Sequence, residues 1–385
     1  MVCSRLADPS LSMNHRTSPN HSRRAPTNNE TNRQQTSVRT DGGVPNKDGH
    51  GTVSSTRDVA AEISDPAELY DRIQTAVDAV LVGNDDVIEG LTIALLSRGH
   101  VLLEGVPGVA KTTIANAFSR ALGVEYSRIQ MTPDVLPTDI TGTHIYREPT
   151  GEFELRKGPI FGNVVVADEI NRATPKTQSA LLEAMEEVQV TIEGETVALS
   201  APFCLIATQN SIEVDGTFEL PAAQRDRFAL HYVVELPDRD TESAIIQQFD
   251  AAPTRGPEDI EAVVGAADVL AARRAVDEVS VVDSIVEYIL DIVHETRSDH
   301  RIEHGSSPRG SLVLLNAAKA RAAIHGREYV LPDDIKALAT PVLGHRIVRN
   351  ADARMRNRST TAILNELVES LPGPDAEIEY EPDSQ

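Results

Sequence analysis

Apolar positions divide the chain into three regimes. From Met13 to Thr56 there is no apolar periodicity, and residues 1–57, rich in Ser, Thr, Asn, Arg, Pro and Gly, are expected to form a disordered tail. From Val59 the pattern changes: Ala60, Ile63, Leu69, Ile73, Val77, Val80 and Leu81 recur at helical spacing, and Val87 to Leu96 repeats the habit, so two helices are predicted. HVLLEG (His100 to Gly105) reads as a short buried strand running into a glycine turn, and a helix follows from Lys111 to Leu122. Further buried strands are predicted at Val164 to Ala167, Phe203 to Ala207 and Leu230 to Leu236, with a helix from Pro175 to Val188 between the first two. Strands alternating with helices predict the α/β class, with a doubly wound parallel sheet. Polar hairpins are expected around Pro149-Thr150-Gly151 and Glu193-Gly194-Glu195. Beyond Pro237 the strand signals stop, and spacing from Thr241 to Leu371 is largely helical. The expected domains are therefore an α/β core over 58–240 and an all-helical domain over 241–371. Residues 372–385 hold five acids, no base and three prolines, and are expected to be a solvated acidic tail. No internal repeat is evident.

Composition narrows the classes of function. At 40% apolar and 25% charged the 385 residues are ordinary for a globular chain, and no apolar run approaches the ~20 residues that cross a bilayer, so no membrane span is expected. Cys3 and Cys204 lie far apart with no CxxC, which argues against a disulfide framework or a cysteine zinc site and makes a reducing cytoplasm the simplest location. The net charge of −23 comes from 59 acidic and 36 basic side chains, thirty of the latter arginine. A surplus of this sign argues against general affinity for nucleic acid or anionic lipid. It suits a protein working in concentrated salt, where a Debye length of ~3 Å at 1 M mutes self-repulsion. Residues 1–57 carry a local charge of +4 (eight basic, four acidic), but they lack a continuous apolar segment and Asp8, Glu30, Asp41 and Asp48 interrupt any basic amphipathic helix, so no targeting segment is expected.

Candidate chemistry begins after the first strand. GVPGVAKT (Gly105 to Thr112), followed by Thr113, nearly matches GxxxxGK[ST], in which backbone N–H groups and a helix N-terminus cradle phosphates, Lys neutralises the β/γ oxygens and the hydroxyl holds Mg²⁺. Lys111 and Thr112 fill those roles; Ala110 departs from the pattern, which asks for glycine. Further on, NVVVADEIN (Asn163 to Asn171) places Asp168 and Glu169 directly after a buried β-branched run. Asp168 can hold the Mg²⁺ that bridges the phosphates, and Glu169 can orient and deprotonate the attacking water. The strand Phe203 to Ala207 ends in Thr208-Gln209-Asn210, where an amide could position that water or simply form a turn. AAQRDRF (Ala222 to Phe228) offers Arg225 and Arg227; either could be a surface arginine or could reach a neighbouring subunit's γ-phosphate, and residue chemistry does not choose.

At this point the chain resembles the AAA+ ATPases and specifically the MoxR family, from Val82 to Ile347. The resemblance is carried by VGNDDVIEGL (Val82 to Leu91), GHVLLEGVPGVAKTT (Gly99 to Thr113), RIQMTPDVLPTDITGT (Arg128 to Thr143), VADEINRATPKTQSALLEAMEE (Val166 to Glu187), ATQNSIE (Ala207 to Glu213), LPAAQRDRF (Leu220 to Phe228) and SSPRGS (Ser306 to Ser311). It implies a P-loop nucleotide domain with a helical lid and nucleotide between them. The phosphate loop would contribute Gly105, Pro107, Gly108, Val109, Ala110, Lys111, Thr112 and Thr113, with Val82 and Gly83 near the adenine. Asn210 would be the sensor-1 residue, Arg227 the arginine finger acting in trans, and Arg309 the sensor-2 residue projecting from the lid onto the γ-phosphate. Alanine before Lys111 looks like the family's own form of the loop. Ser211, Ala222 and Arg225 depart from the usual family wording, and Arg227 is preferred as the finger because it aligns with the family's Asp-Arg-Phe. The resemblance further implies ATP and Mg²⁺ as cofactors and a homo-oligomeric ring, most often hexameric. It also implies chaperone-like work on client proteins, including metal-cofactor insertion, often with von Willebrand A domain partners.

Other features read blandly. His294, Asp299, His300 and His304 lack HExxH spacing in a polar stretch and are read as a solvated loop. Arg354, Arg356 and Arg358 are read as a solvated face or subunit contact, since a chain with no Trp and 4% aromatics offers little for bases to stack on. A nucleic-acid motor is disfavoured on the same grounds, and a non-hydrolysing nucleotide scaffold is disfavoured by the presence of Glu169.

Overall fold

The computed structural model describes residues 63–212 and 216–374, so the expected tail over 1–57, the helix-spaced Val59 and Ala60, and most of the expected acidic tail lie outside the described residues. Two helices come first, α1 (Pro66–Asp78) and α2 (Asp85–Leu96). Asp65 accepts from the Ala67 N–H at 2.9 Å and Pro66 takes the first helical position, so α1 starts where its orphan donors find an acceptor. Leu69, Ile73 and Val77, spaced by four, form its buried face.

The α/β region then runs β1 (Val101–Gly105), α3 (Lys111–Ala121), β2 (Tyr126–Gln130), α4 (Pro137–Thr141), β3 (Gly142–Arg147), β4 (Glu152–Lys157), β5 (Val164–Asp168), α5 (Pro175–Glu187), β6 (Gln189–Ile192), β7 (Glu195–Ala198), β8 (Cys204–Asn210), α6 (Ala222–Arg225) and β9 (Leu230–Val234). Strands β3/β4 and β6/β7 are the two antiparallel hairpins expected from their turn residues. The other five strands form one parallel sheet in the order β2-β5-β8-β1-β9. Both faces are covered, which is why β5 and β8 are apolar up to their polar carboxyl ends. Alternation sends Leu103 into the cluster shared with α1, α2 and α3, and Leu102 into the one shared with α5. Strand β2 lies outside the sequence-based expectation. As an edge strand reading Tyr-Ser-Arg-Ile-Gln, it buries only Ile129 and shows no apolar run.

Chain order explains where the site falls. The chain leaves β1 for the far edge at β2, fills back through β5 and β8, and crosses β1 to β9. The carboxyl ends of β1, β5 and β8 therefore gather where the winding reverses, the usual ligand position in such sheets.

Helices dominate the remainder: α7 (Arg239–Ala251), α8 (Ala266–Asp277), α9 (Asp283–Ser298), α10 (Pro308–Ile324), α11 (Pro332–Leu343), α12 (Ala351–Met355) and α13 (Thr360–Ser370). They are joined by one pair of short strands, β10 (Ile302–His304) and β11 (Val348–Arg349), which corrects the all-helical expectation. Segments of two and three residues are too short to leave an alternating pattern. Val269, Ile289 and Leu314 of this helical region share one buried cluster with Ile73, Leu91 and Phe118 of α1, α2 and α3. Among the described residues no helix is long and apolar enough to cross a membrane.

Candidate active site

Gly105 closes β1, and a Cβ there would stand 2.4 Å from the Val234 carbonyl, so only glycine lets the loop leave the sheet at this point. The loop turns through Gly108 (φ 92°) and Ala110 (φ 62°, ψ 17°), and Lys111 opens α3. Ala110, the departure from the generic motif, thus holds the left-handed conformation in which glycine is at ease, at a cost of ~1 kcal/mol. The turn places the N-terminus of α3, with its orphan N–H groups, at the carboxyl end of the sheet. Lys111 is buried, and its Nζ donates to the Gly105 and Val106 carbonyls at 2.8 Å each.

Asp168, last in β5, is buried. Its Oδ1 accepts from the hydroxyls of Thr112 at 2.9 Å and Thr208 at 2.5 Å, and its Oδ2 accepts from Arg128 Nη2 at 2.5 Å. Burial alone would raise its carboxyl pKa, but the bonds from Thr208, Arg128 and Thr112 outweigh it and hold the group below the usual carboxylate range. Glu169 follows with φ 57° and ψ 51°, a left-handed backbone that costs ~1–3 kcal/mol for a residue with a side chain. Its N–H donates to Thr208 Oγ1 at 2.9 Å, which fixes that turn. Its carboxylate is held on several sides: Asn210 Nδ2 at 3.1 Å, Gln130 Nε2 at 3.0 Å and Arg172 Nε at 3.2 Å. Asn210 can reach it because β8 lies beside both β1 and β5, with Asn210 in register with Gly105.

A cleft of about 460 Å³ is lined by Pro107, Gly108, Ala110, Lys111, Thr112, Thr113, Arg128, Gln130, Asp168, Glu169, Thr208 and Asn210. The sequence-predicted phosphate-loop, acidic and amide residues are thus brought together, apart from Gly105 and Val109, which support the loop from the buried side. Arg128, Gln130 and Thr208 escaped assignment. The signal available was the Arg-x-Gln alternation, which puts two polar side chains on one side of a strand, but that strand was itself not legible. Hard oxygen donors on Thr112 and Asp168, 2.9 Å apart at the cleft, suit Mg²⁺, which takes one or two protein oxygens and completes its shell with phosphate and water.

Val82 and Gly83 (φ 75°) form the turn between α1 and α2, with Gly83 close to Thr241 of α7; they do not line the cleft. Arg227 and Arg309 also lie elsewhere. Both pair with the Glu186 carboxylate near the end of α5, Arg309 at 3.5 Å, and Arg227 Nη1 donates to the Leu182 carbonyl at 3.0 Å. That end of α5 meets the start of β1, where His100 Nε2 bonds the Met185 carbonyl at 3.0 Å. The two arginines therefore lie near the amino end of β1, whereas the phosphate loop leaves its carboxyl end, and neither lines the cleft. Arg309, expected to project from the lid onto the γ-phosphate, is not among the residues that line this subunit's cleft. Arg225 is different again, lining a larger cavity of about 1030 Å³ with Glu104, His231 and His345. Of the histidine-rich segment, Asp299 is paired to Arg301 at 2.6 Å, and the His300 side chain is 88% exposed.

Comparison with known proteins agrees with this architecture. The family described as ATPase family associated with various cellular activities (AAA) matches residues 100–230, and the AAA lid domain matches residues 294–367. The chain is 45% identical to the uncharacterized protein YeaC of Bacillus subtilis, over 77% of this chain and 92% of that protein. It is 39% identical to the chaperone MoxR1 of Mycobacterium tuberculosis, over 82% and 84%, and 33% identical to the protein MoxR of Paracoccus denitrificans, over 82% and 99%. A crystal structure of a candidate ATPase from Cytophaga hutchinsonii superposes with a TM-score of 0.73 at 37% identity, covering 80% of this chain and 95% of that one. A shared sequence over most of both chains, joined to a parallel sheet with a phosphate loop and a helical lid, places this chain in the MoxR family of AAA+ ATPases.

Proposed function

We propose that this protein hydrolyses ATP with Mg²⁺ in a homo-oligomeric ring. The observation that carries the proposal is Glu169: a carboxylate at the cleft, held by Asn210 and Gln130, one residue beyond an Asp168 that bonds the phosphate-loop hydroxyl of Thr112. The phosphate loop and the N-terminus of α3 would bind the phosphates, and Lys111 would neutralise the β/γ oxygens. Thr112 and Asp168 would hold the metal, which when bound supplies charge stabilisation on the transferring group. Glu169 takes a proton from water as the new O–P bond forms at the γ-phosphorus and the bond to the β-γ bridging oxygen breaks, leaving ADP and phosphate. Asn210 keeps the Glu169 carboxylate aimed.

Arg227 and Arg309 pair with Glu186 and do not line this subunit's cleft, so we assign both to a neighbour's γ-phosphate. This assignment makes assembly a condition of turnover, and a hexamer is the ring size we favour. We read the division near residue 240 as that between the nucleotide domain and its lid. The relatives named MoxR and chaperone MoxR1 support chaperone-like work on client proteins; proteins receiving metal cofactors or carrying von Willebrand A domains, in the cytoplasm, are the clients we favour. ATPase rate per subunit measured against protein concentration tests the core of this reading. It should climb with concentration in the wild type and stay near background in Arg227→Ala; a rate independent of both would overturn the ring mechanism.

A further inference from the structure

One cation in the cleft has no place in the mechanism above. Arg128 comes from the edge strand β2, where alternation puts it on the same side as Gln130; Arg128 holds Asp168, and Gln130 holds Glu169. Arg128 Nη2 lies 2.5 Å from Asp168 Oδ2, and its side chain is 46% exposed against 6% for Asp168, so the guanidinium stands between the carboxylate and the cleft. The other oxygen, Oδ1, already accepts two hydroxyls. A monovalent cation thus occupies the carboxylate face that a divalent cation would need. The two cannot share it: like charges at contact distance repel, and a metal claims the lone pairs the guanidinium uses. Glu169, the nearest alternative anion, is already engaged by Gln130, Asn210 and Arg172.

Resting on the nucleotide reading above, we infer that Arg128 is a positioning residue that competes with the divalent cation for Asp168 and, when displaced, binds the phosphates of the nucleoside polyphosphate. With Arg128 on Asp168, a bare carboxylate never faces an incoming phosphate. Once the metal takes Asp168, the fork-shaped guanidinium is released beside oxygens it can grip with two donors.

The test is equilibrium binding of a fluorescent ADP to the full-length chain, in EDTA and across a MgCl₂ titration, for wild type, Arg128→Gln, Asp168→Asn and the double variant. In Arg128→Gln, metal-free affinity should fall about tenfold, because Asp168 is left uncompensated beside the phosphates, and the Mg²⁺ midpoint should move several-fold lower, because the competitor is gone. Asp168→Asn should tighten metal-free binding by freeing Arg128, and the double variant should lose that gain. An Arg128 that merely supports β2 would leave both the Mg²⁺ midpoint and the Asp168→Asn gain unchanged, and that result overturns the inference. Should Arg128→Gln fail to fold, metal-free binding by Asp168→Asn no tighter than wild type overturns it equally. A wild type that binds no nucleotide under any condition would instead remove the phosphate-loop reading, and this inference with it.

Discussion

Arg346, just beyond the lid helix α11, donates from Nε to the Asp226 carboxylate at 2.9 Å. Its other nitrogens reach the carbonyls of Asp226, Phe228 and Ala229, so the lid grips the loop that carries Arg227 from both sides. The Arg346 side chain is only 1% exposed, and burial pushes its pKa down to about 10 despite the nearby Asp226. The position of Arg227 is thus tied to the position of the lid through a buried charge.

Arg346→Ala should therefore cost ~3–5 kcal/mol, the range for breaking a buried pair, because the Asp226 carboxylate and the carbonyls around it lose a shared donor. Urea unfolding checks this. A loss below about 1 kcal/mol would mean that the loop is held by other contacts.

Glu169→Gln should keep nucleotide affinity while kcat falls ~10²–10⁴-fold, since the amide preserves shape but takes no proton. Lys111→Ala should lose binding itself. Fluorescent-nucleotide affinity and steady-state phosphate release separate the two effects, and wild-type turnover in either variant would refute the assignment.

Mixing distinguishes a shared site from a self-contained one. Arg227→Ala and Arg309→Ala should each lower turnover by up to ~10³–10⁵-fold, the range seen when a finger is removed. Mixed with Glu169→Gln subunits, which still carry both arginines, either inactive variant should regain activity. If no ratio of subunits restores turnover, the two arginines do not act across an interface.

His100 makes stability depend on acid. Its Nδ1 accepts from the Leu205 N–H at 3.0 Å, and its Nε2 faces the Met185 carbonyl, so the neutral ring satisfies one donor and one acceptor and a second proton has nowhere to go. Burial holds its pKa down to about 4. Folded His100 thus stays neutral while unfolded His100 titrates near 6.5, so its contribution is complete above that value and is lost as pH falls toward 4. Between pH 7.5 and 5.0 the wild type should lose ~2 kcal/mol that His100→Gln, less stable at pH 7.5, does not. Parallel acid profiles for the two proteins would contradict this.

Periodicity and motif spacing were enough to read the parallel α/β region, both hairpins, the helical region that follows, and the phosphate loop with its Asp-Glu pair. These are legible because each is a local rule: a buried strand must be an apolar run, and a phosphate loop must be glycine-rich between strand and helix. Why the motif asks for glycine at Ala110 becomes plain once its positive φ is seen. Strand order was not legible, since nothing local to Asn210 says that β8 lies between β1 and β5 and so brings its amide to Glu169. Nor could an edge strand with one buried residue announce that Arg128 and Gln130 complete the site. Arg309 shows the limit most plainly. Its motif was clear at once, but which end of the sheet it occupies depends on packing between the lid and α5, residues more than a hundred positions apart, and only the tertiary structure sets it beside Arg227 on Glu186.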